Sequence, residues 1–279
     1  MPGCSPTDNR RPTSTPALLA LDFDGVVCDG RPEYFETAWQ AYVATWPRAL
    51  ASGRPAAIAD RFAALRPLIE SGWEMPLMVH ALLAGVEPPA LENRHGWLQA
   101  APALMKAGGV TAEMLGRALN KVRDDWFARD PTDWLSYHRF YPGILAQISA
   151  LLGGPTRVVI VTTKAERFVR ALLAGHDARL AEVPIIGREP GKPVPKPDIL
   201  RRLANSHGLA ADGAGAWFVE DMLETLEATA ARVDLAGARL FLAEWGYNTA
   251  DDRTRAAGDD RITLLSLDRF GAPLSTWLS

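Results

Sequence analysis

The sequence predicts an α/β protein: an open, doubly wound parallel sheet into which a separate helical domain is inserted. Three observations carry that prediction. Six short runs are apolar throughout, the later runs alternate with helix-like segments, and a long strandless stretch divides the first run from the second. A short run without polar alternation is how a strand reads when both faces of its sheet are covered. A βαβ series of such runs gives a parallel sheet with helices on its faces.

The elements follow in order. The leader "MPGCSPTDNRRPTSTP" (1–16) is polar and proline-rich and lacks the apolar middle of a secretory signal, so it is expected to be disordered. "ALLALD" (17–22) is the first strand. Residues 31 to about 140 hold no convincing strand and read as helices broken by proline and glycine: "EYFETAWQAYVATW", "AIADRFAALRPLIESG", "MPLMVHALLAG" and "AEMLGRALNKVRDDWF". Six of the nine tryptophans fall there (Trp39, Trp46, Trp73, Trp97, Trp126, Trp134), the mark of a helical core rather than of an aromatic box. The stretch is far longer than a strand-to-helix connection needs, so it is expected to be a domain hinged near residues 30 and 140. Beyond it come strands "RVVIVT" (157–162), "VPII" (183–186), "AWFVE" (216–220), "ARLFLA" (238–243) and "ITLLSL" (262–267), with helices expected over 164–175, 197–208 and 222–235.

Composition limits the function classes. The chain has 279 residues, 48% of them apolar and 23% charged, with a formal net charge of −3. That balance argues against a general nucleic-acid footprint. The two cysteines, Cys4 and Cys28, give no disulfide framework and no zinc-type pair, and Cys28 reads as a small buried thiol. No apolar run approaches a membrane span. A cytoplasmic protein without nucleic-acid or membrane partners is expected.

The chemistry gathers where strands end. Asp22 and Asp24 sit two apart after the first strand. On an extended strand they would point to one side, about 6–7 Å apart at roughly 3.3 Å per residue. Two such carboxylates repel unless a cation or a shared proton is present. One side chain and one backbone carbonyl on a hard cation would leave the other carboxyl free for proton transfer. Gly25 lets the backbone turn and approach a ligand closely, while Asp29 reads as a cap or turn residue. Thr162 and Thr163 end a second strand, where hydroxyls and helix-start N–H groups make a phosphate site; a plain N-cap is the alternative. "GKPVPKPDIL" holds Lys192 and Lys196 in a proline-stiffened loop before a helix. Glu220 and Asp221 end a third strand, as ligands or as helix caps. All of these lie at predicted carboxyl ends, where ligands bind in open α/β sheets.

These residues resemble the motifs of the haloacid dehalogenase superfamily of Mg²⁺-dependent aspartate-nucleophile phosphatases. Asp22-Phe23-Asp24-Gly25-Val26-Val27 is similar to its first motif, "VVIVT" with Thr162 to its second, a lysine before a helix to its third, and Glu220-Asp221 to its fourth. The order and spacing agree over 17 to about 245. The resemblance implies a Rossmann-like core (17–30 and 141–279) with an all-helical C1-type cap (31–140), as in the phosphoglycolate-phosphatase-like branch. "WFVEDMLETL" and "LFLAEWGYNT" also resemble an uncharacterised cyanobacterial and plant-type branch. It implies that Asp22 attacks phosphorus to form an aspartyl-phosphate and that Asp24 moves the proton. Thr162 and nearby N–H groups would hold phosphoryl oxygens, and a lysine would neutralise charge. Mg²⁺ would be held by Asp22, the Asp24 carbonyl and Asp221, with Glu220 beside it. The family often has another acid where Thr225 stands. Lys192 fits the KPxP form of the third motif, and Lys196 fits the spacing to Glu220-Asp221 and is favoured. Substrate choice is expected in the cap, with Arg66 or Trp73 on the leaving group; a surface ion pair for Arg66 and a core position for Trp73 are the alternatives. The substrate expected is a small phosphorylated metabolite and the chain a monomer or homodimer. A phosphomutase of the same superfamily, or a non-catalytic phosphometabolite-binding module, would share these motifs.

Overall fold

A computed structural model describes residues 15–47, 53–86, 91–187 and 194–278. In chain order the elements are β1 (Leu18–Leu21), β2 (Cys28–Asp29), α1 (Arg31–Thr45), α2 (Ile58–Ala64), α3 (Glu74–Leu83), α4 (Arg94–Gly108), α5 (Ala112–Arg129), α6 (Pro131–Ser136), β3 (Arg139–Phe140) and α7 (Ile144–Leu151). They continue with β4 (Arg157–Val161), α8 (Glu166–His176), β5 (Ile185–Ile186), α9 (Lys196–Ser206), β6 (Ala216–Glu220), α10 (Leu223–Ala230), β7 (Arg239–Ala243), α11 (Ala250–Ala257), β8 (Ile262–Leu265) and α12 (Leu267–Phe270). The chain divides into two units: Met1–Val27 with Pro142–Gly246 and Ala250–Ser279, and Cys28–Tyr141 with Tyr247–Thr249.

The first unit is a six-stranded sheet in the order β5-β4-β1-β6-β7-β8. Every adjacent pair is parallel, which gives the Rossmann-like α/β fold. All four residues of β1 are fully buried, as its unbroken apolar run requires. Leu18 and Ala20 belong to one buried cluster with Ile199 and Leu200 of α9 and Leu223 and Leu226 of α10. Another cluster is aromatic: Trp217 and Phe241 pack on Trp277, which also contacts Phe270. The sheet order puts β4 and β6 on either side of β1. Chain order therefore reverses around β1, the place where such sheets bind ligands.

The second unit is built from α1–α6. Its buried core includes Phe35, Phe62, Met78, Trp97, Leu115 and Leu119, with Trp39, Trp46 and Trp73 packed against it. Trp126 and Trp134 are also buried, so the tryptophan stripe is core. Two features depart from the sequence reading. Helix α4 runs across Gly96 and Pro102, both weak helix formers; Asn93 caps it by accepting the Gly96 N–H at 2.9 Å, and Trp97 and Ala101 pack its inner face into the core. The unit also contains a two-residue antiparallel ladder, Cys28↔Phe140 and Asp29↔Arg139. Two residues per strand give no periodicity to read. Among the described residues no helix is long and apolar enough to cross a membrane.

Candidate active site

Register and strand order bring the acidic and hydroxyl residues to one edge. Leu21 is level with Ile160 of β4 and Val219 of β6, so the residues that follow these strands are neighbours. Asp22 keeps the ladder, donating its N–H to Val219 O at 2.9 Å. The chain then turns at once, with the Val27 N–H donating to Phe23 O at 2.8 Å. Gly25 makes the turn possible at φ 91°, a conformation costly for any residue with a Cβ. The extended spacing of Asp22 and Asp24 is therefore replaced by a turn that sends their carboxylates to different partners.

Asp22, Glu220 and Asp221 are buried, and one carboxylate oxygen from each lies within 4.8 Å of the others. Lys196, the first residue of α9, inserts its ammonium 2.9 Å from Asp22 Oδ1 and 2.7 Å from Glu220 Oε2. Pro195 and Pro197 flank it and fix its approach. Burial pushes the Asp22 carboxyl up to about 7; Lys196 opposes the rise, and Glu220 and Asp24 add to it. Burial likewise pushes Glu220 up to about 7, against Lys196 and with Asp221. Burial works against the Lys196 charge, but Asp22 and Glu220 outweigh it and raise its pKa.

Among the described residues, one ammonium, Lys196, meets these three buried carboxylates, which leaves an excess of negative charge. The donor set is all oxygen, the preference of a hard divalent cation. Asp22 Oδ1 is buried and accepts no directed hydrogen bond, although Lys196 stands in ion-pair range. These residues fit Mg²⁺. The Asp24 carboxylate stands apart from the cluster and pairs instead with Lys164, at 3.2 Å.

Thr162 is buried, and its N–H donates to Ile186 O at 3.0 Å. Its hydroxyl accepts the Lys164 N–H at 3.1 Å. Helix α8 starts only at Glu166, after Ala165, so Thr162 is not its cap. Thr163 is exposed. Lys192 lies outside the described residues. Arg66 and Trp73 belong to the helical unit. There the Arg66 guanidinium is buried, donates to Ile69 O and lies over the rings of Tyr247 and Tyr34, 4.4 and 5.2 Å from their centroids. Asp29 takes the turn role, accepting the Arg31 N–H at 3.0 Å.

Two site neighbours lay outside the sequence reading. Lys164 follows the hydroxyl pair that drew attention in "VTTK". Gly246 follows β7: a Cβ there would fall 2.3 Å from Asp221 Cβ and 2.7 Å from Gly25 O. Beside it, Trp245 donates its indole N–H to Val26 O at 3.0 Å and packs edge-on to Phe270. A glycine three residues past a strand's end was the available signal for Gly246, since glycine marks close backbone approach.

Acids, a hydroxyl and a lysine at the carboxyl ends of neighbouring parallel strands define an α/β enzyme site. The chain belongs to the haloacid dehalogenase-like hydrolases, whose family model matches residues 16–231. It is a hydrolase. No curated protein matches it in sequence. Among solved structures it is similar to a predicted phosphatase from Clostridium acetobutylicum, at 16% identity and a TM-score of 0.54 over 92% of this chain and 97% of that one. It is also similar to a predicted phosphoglycolate phosphatase from Haemophilus somnus 129pt, with 16% identity, a TM-score of 0.55 and coverage of 93% and 96%. A haloacid dehalogenase-like family hydrolase from Streptococcus pneumoniae gives 16% identity and a TM-score of 0.52 over 90% and 94%. At such identities the likeness is one of fold.

Proposed function

We propose that the protein is a Mg²⁺-dependent phosphatase that hydrolyses a small phosphate monoester through an aspartyl-phosphate. One observation carries the reading: Asp22 ends the central strand with its carboxylate against a buried ammonium and two further buried carboxylates. A nucleophile so placed splits one difficult displacement into two easier ones. The domain reading belongs to the same proposal: a core of 17–30 and 141–279 behind a leader of 1–16, with 31–140 as a helical cap.

In the first step Asp22 forms a bond to phosphorus as the bond to the leaving oxygen breaks, and Asp24 gives that oxygen its proton. In the second, water attacks the aspartyl-phosphate, gives a proton to Asp24 and releases phosphate, which restores both carboxyls. Thr162 and the N–H groups after β1 and β4 hold the phosphoryl oxygens. Lys196 keeps the Asp22 carboxylate oriented and offsets charge on the transferring group. Asp22, Asp221 and the Asp24 carbonyl, with Glu220 beside them, would hold Mg²⁺, which when bound neutralises phosphoryl charge.

The test is turnover of p-nitrophenyl phosphate and a panel of metabolite monoesters with Mg²⁺, for the parent and Asp22→Asn. The parent should release phosphate, and Asp22→Asn should lose activity by about 10⁴-fold or more, the scale for removing a nucleophile. A mutant as active as the parent overturns the nucleophile assignment. A parent inert over the whole panel overturns the phosphatase reading.

A further inference from the structure

The geometry points to Lys164 as a positioning residue for Asp24, one that fixes which carboxyl oxygen exchanges the proton with the leaving group and with water. The inference rests on the phosphatase reading and adds a residue to it. Lys164 is a buried lysine, its side chain only 3% exposed, and its ammonium is 3.2 Å from Asp24 Oδ1. Burying an ammonium is costly unless a partner meets it. Lys196 is taken by Asp22 and Glu220. The two aspartates of "DFD" are thus served by different lysines. This division keeps the Asp24 carboxylate out of the Asp22, Glu220 and Asp221 cluster.

An ammonium donates hydrogen bonds and accepts none. With Oδ1 facing Lys164, the proton that Asp24 transfers resides on Oδ2, and the Asp24 side chain keeps a 12% opening to solvent. In the first half-reaction the Oδ2–H bond breaks as the leaving oxygen takes the proton. In the second, Oδ2 takes a proton from the attacking water. The Lys164 proton stays on nitrogen throughout. Its backbone is fixed on two sides: the N–H donates to Thr162 Oγ1 at 3.1 Å, and a Cβ on Gly187 would fall 2.9 Å from its carbonyl oxygen. One residue therefore sets both the Thr162 hydroxyl and the Asp24 carboxylate.

Leaving-group dependence separates this role from a merely structural one. An alkyl phosphate departs as a poor alkoxide and needs the proton, whereas 2,4-dinitrophenyl phosphate departs as a stable phenolate and hardly needs it. General-acid assistance is worth about 10²–10⁴-fold where it is needed. In Lys164→Met, kcat/KM, which reports the first half-reaction, should fall at least tenfold more for alkyl than for dinitrophenyl phosphate. Asp24→Ala should show the same skew, and the double variant should be no worse than Asp24→Ala alone. Lys164→Gln, which keeps a neutral donor, is read the same way should the methionine variant fail to fold, and thermal melts monitor both. A loss equal for all leaving groups, or one that multiplies with Asp24→Ala, overturns the inference and assigns Lys164 to phosphate binding or to packing. In either case a turning-over parent leaves the phosphatase reading intact; only an inert parent removes both.

Discussion

Replacing Gly246 by alanine tests whether backbone, rather than side chain, defines the wall behind Asp221. The added Cβ would lie 2.3 Å from Asp221 Cβ, 2.7 Å from Gly25 O and 3.2 Å from Ala243 O. Non-bonded carbons settle at about 3.5–4.0 Å, so Asp221 or Gly246 must retreat by more than about 1 Å. None of these neighbours is the free end of a flexible side chain, and Ala243 is held in β7 opposite Leu265. Metal-ligand distances tolerate only about 0.2 Å, and a 1 Å misplacement near the chemistry costs about 10²-fold. Overpacking of this kind destabilises by about 1–3 kcal/mol. The assay is kcat/KM for phosphate-monoester hydrolysis across a Mg²⁺ titration, beside thermal melts. Gly246→Ala should show a Mg²⁺ half-saturation raised at least about tenfold, kcat/KM lowered about 10²-fold and a Tm lowered by a few degrees. Gly258→Ala, whose Cβ would meet Arg255 O at an ordinary 3.5 Å, should match the parent. Parental kcat/KM and unchanged Mg²⁺ dependence in Gly246→Ala would refute the reasoning, because the loop would then be shown to relax freely.

Two other outcomes are expected. Asp22 and Glu220 titrate near 7 in the metal-free fold, above their ordinary values of 3.8 and 4.5. The folded state therefore binds more protons than the unfolded one between about pH 4 and 7, and this stability, full at the acid end, is lost as pH rises through 7. Since Mg²⁺ needs the ionised carboxylates, the Tm gap between Mg²⁺ and EDTA samples should widen from pH 5.5 to 8; a gap independent of pH contradicts it. Gly116 stands inside α5, and its Cβ would make an ordinary 3.7 Å contact with Trp73 Cβ. Gly116→Ala should stabilise by about 0.5–1 kcal/mol in urea unfolding, and a destabilised variant would disprove the fit.

Much of the sheet could be read because burial on both faces leaves an unambiguous imprint: "AWFVE" is β6 from end to end. Acids and hydroxyls directly after such runs can be assigned to one edge without knowing the strand order. What stayed hidden depends on distant partners or on very short elements. A buried lysine and an exposed one are the same letter, and Lys164 is defined by Asp24, 140 residues earlier. The role of Gly246 depends on Asp221 and Gly25, which only the fold brings near. In α4, Gly96 and Pro102 interrupt the helical pattern, and its burial through Trp97 and Ala101 is set by the rest of the core. The β2–β3 ladder is too short to leave any pattern, and α8 starts two residues later than its apolar period suggests.

The order β4-β1-β6 also dictates when the site can exist during synthesis. Strand β1 is made first, yet its two neighbours begin at Arg157 and Ala216. At roughly 5–20 residues per second, β6 follows β1 off the ribosome by about 10–40 s. Until β4 is made a fully apolar strand has neither partner, and until β6 is made it has one at most, while the intervening helices can form from contacts close in sequence. Such long-range parallel pairing is slow and open to aggregation. Asp22 can acquire its lysine and its companion acids only when most of the chain has been made, so a truncated chain carries the "DFDG" signature without the chemistry.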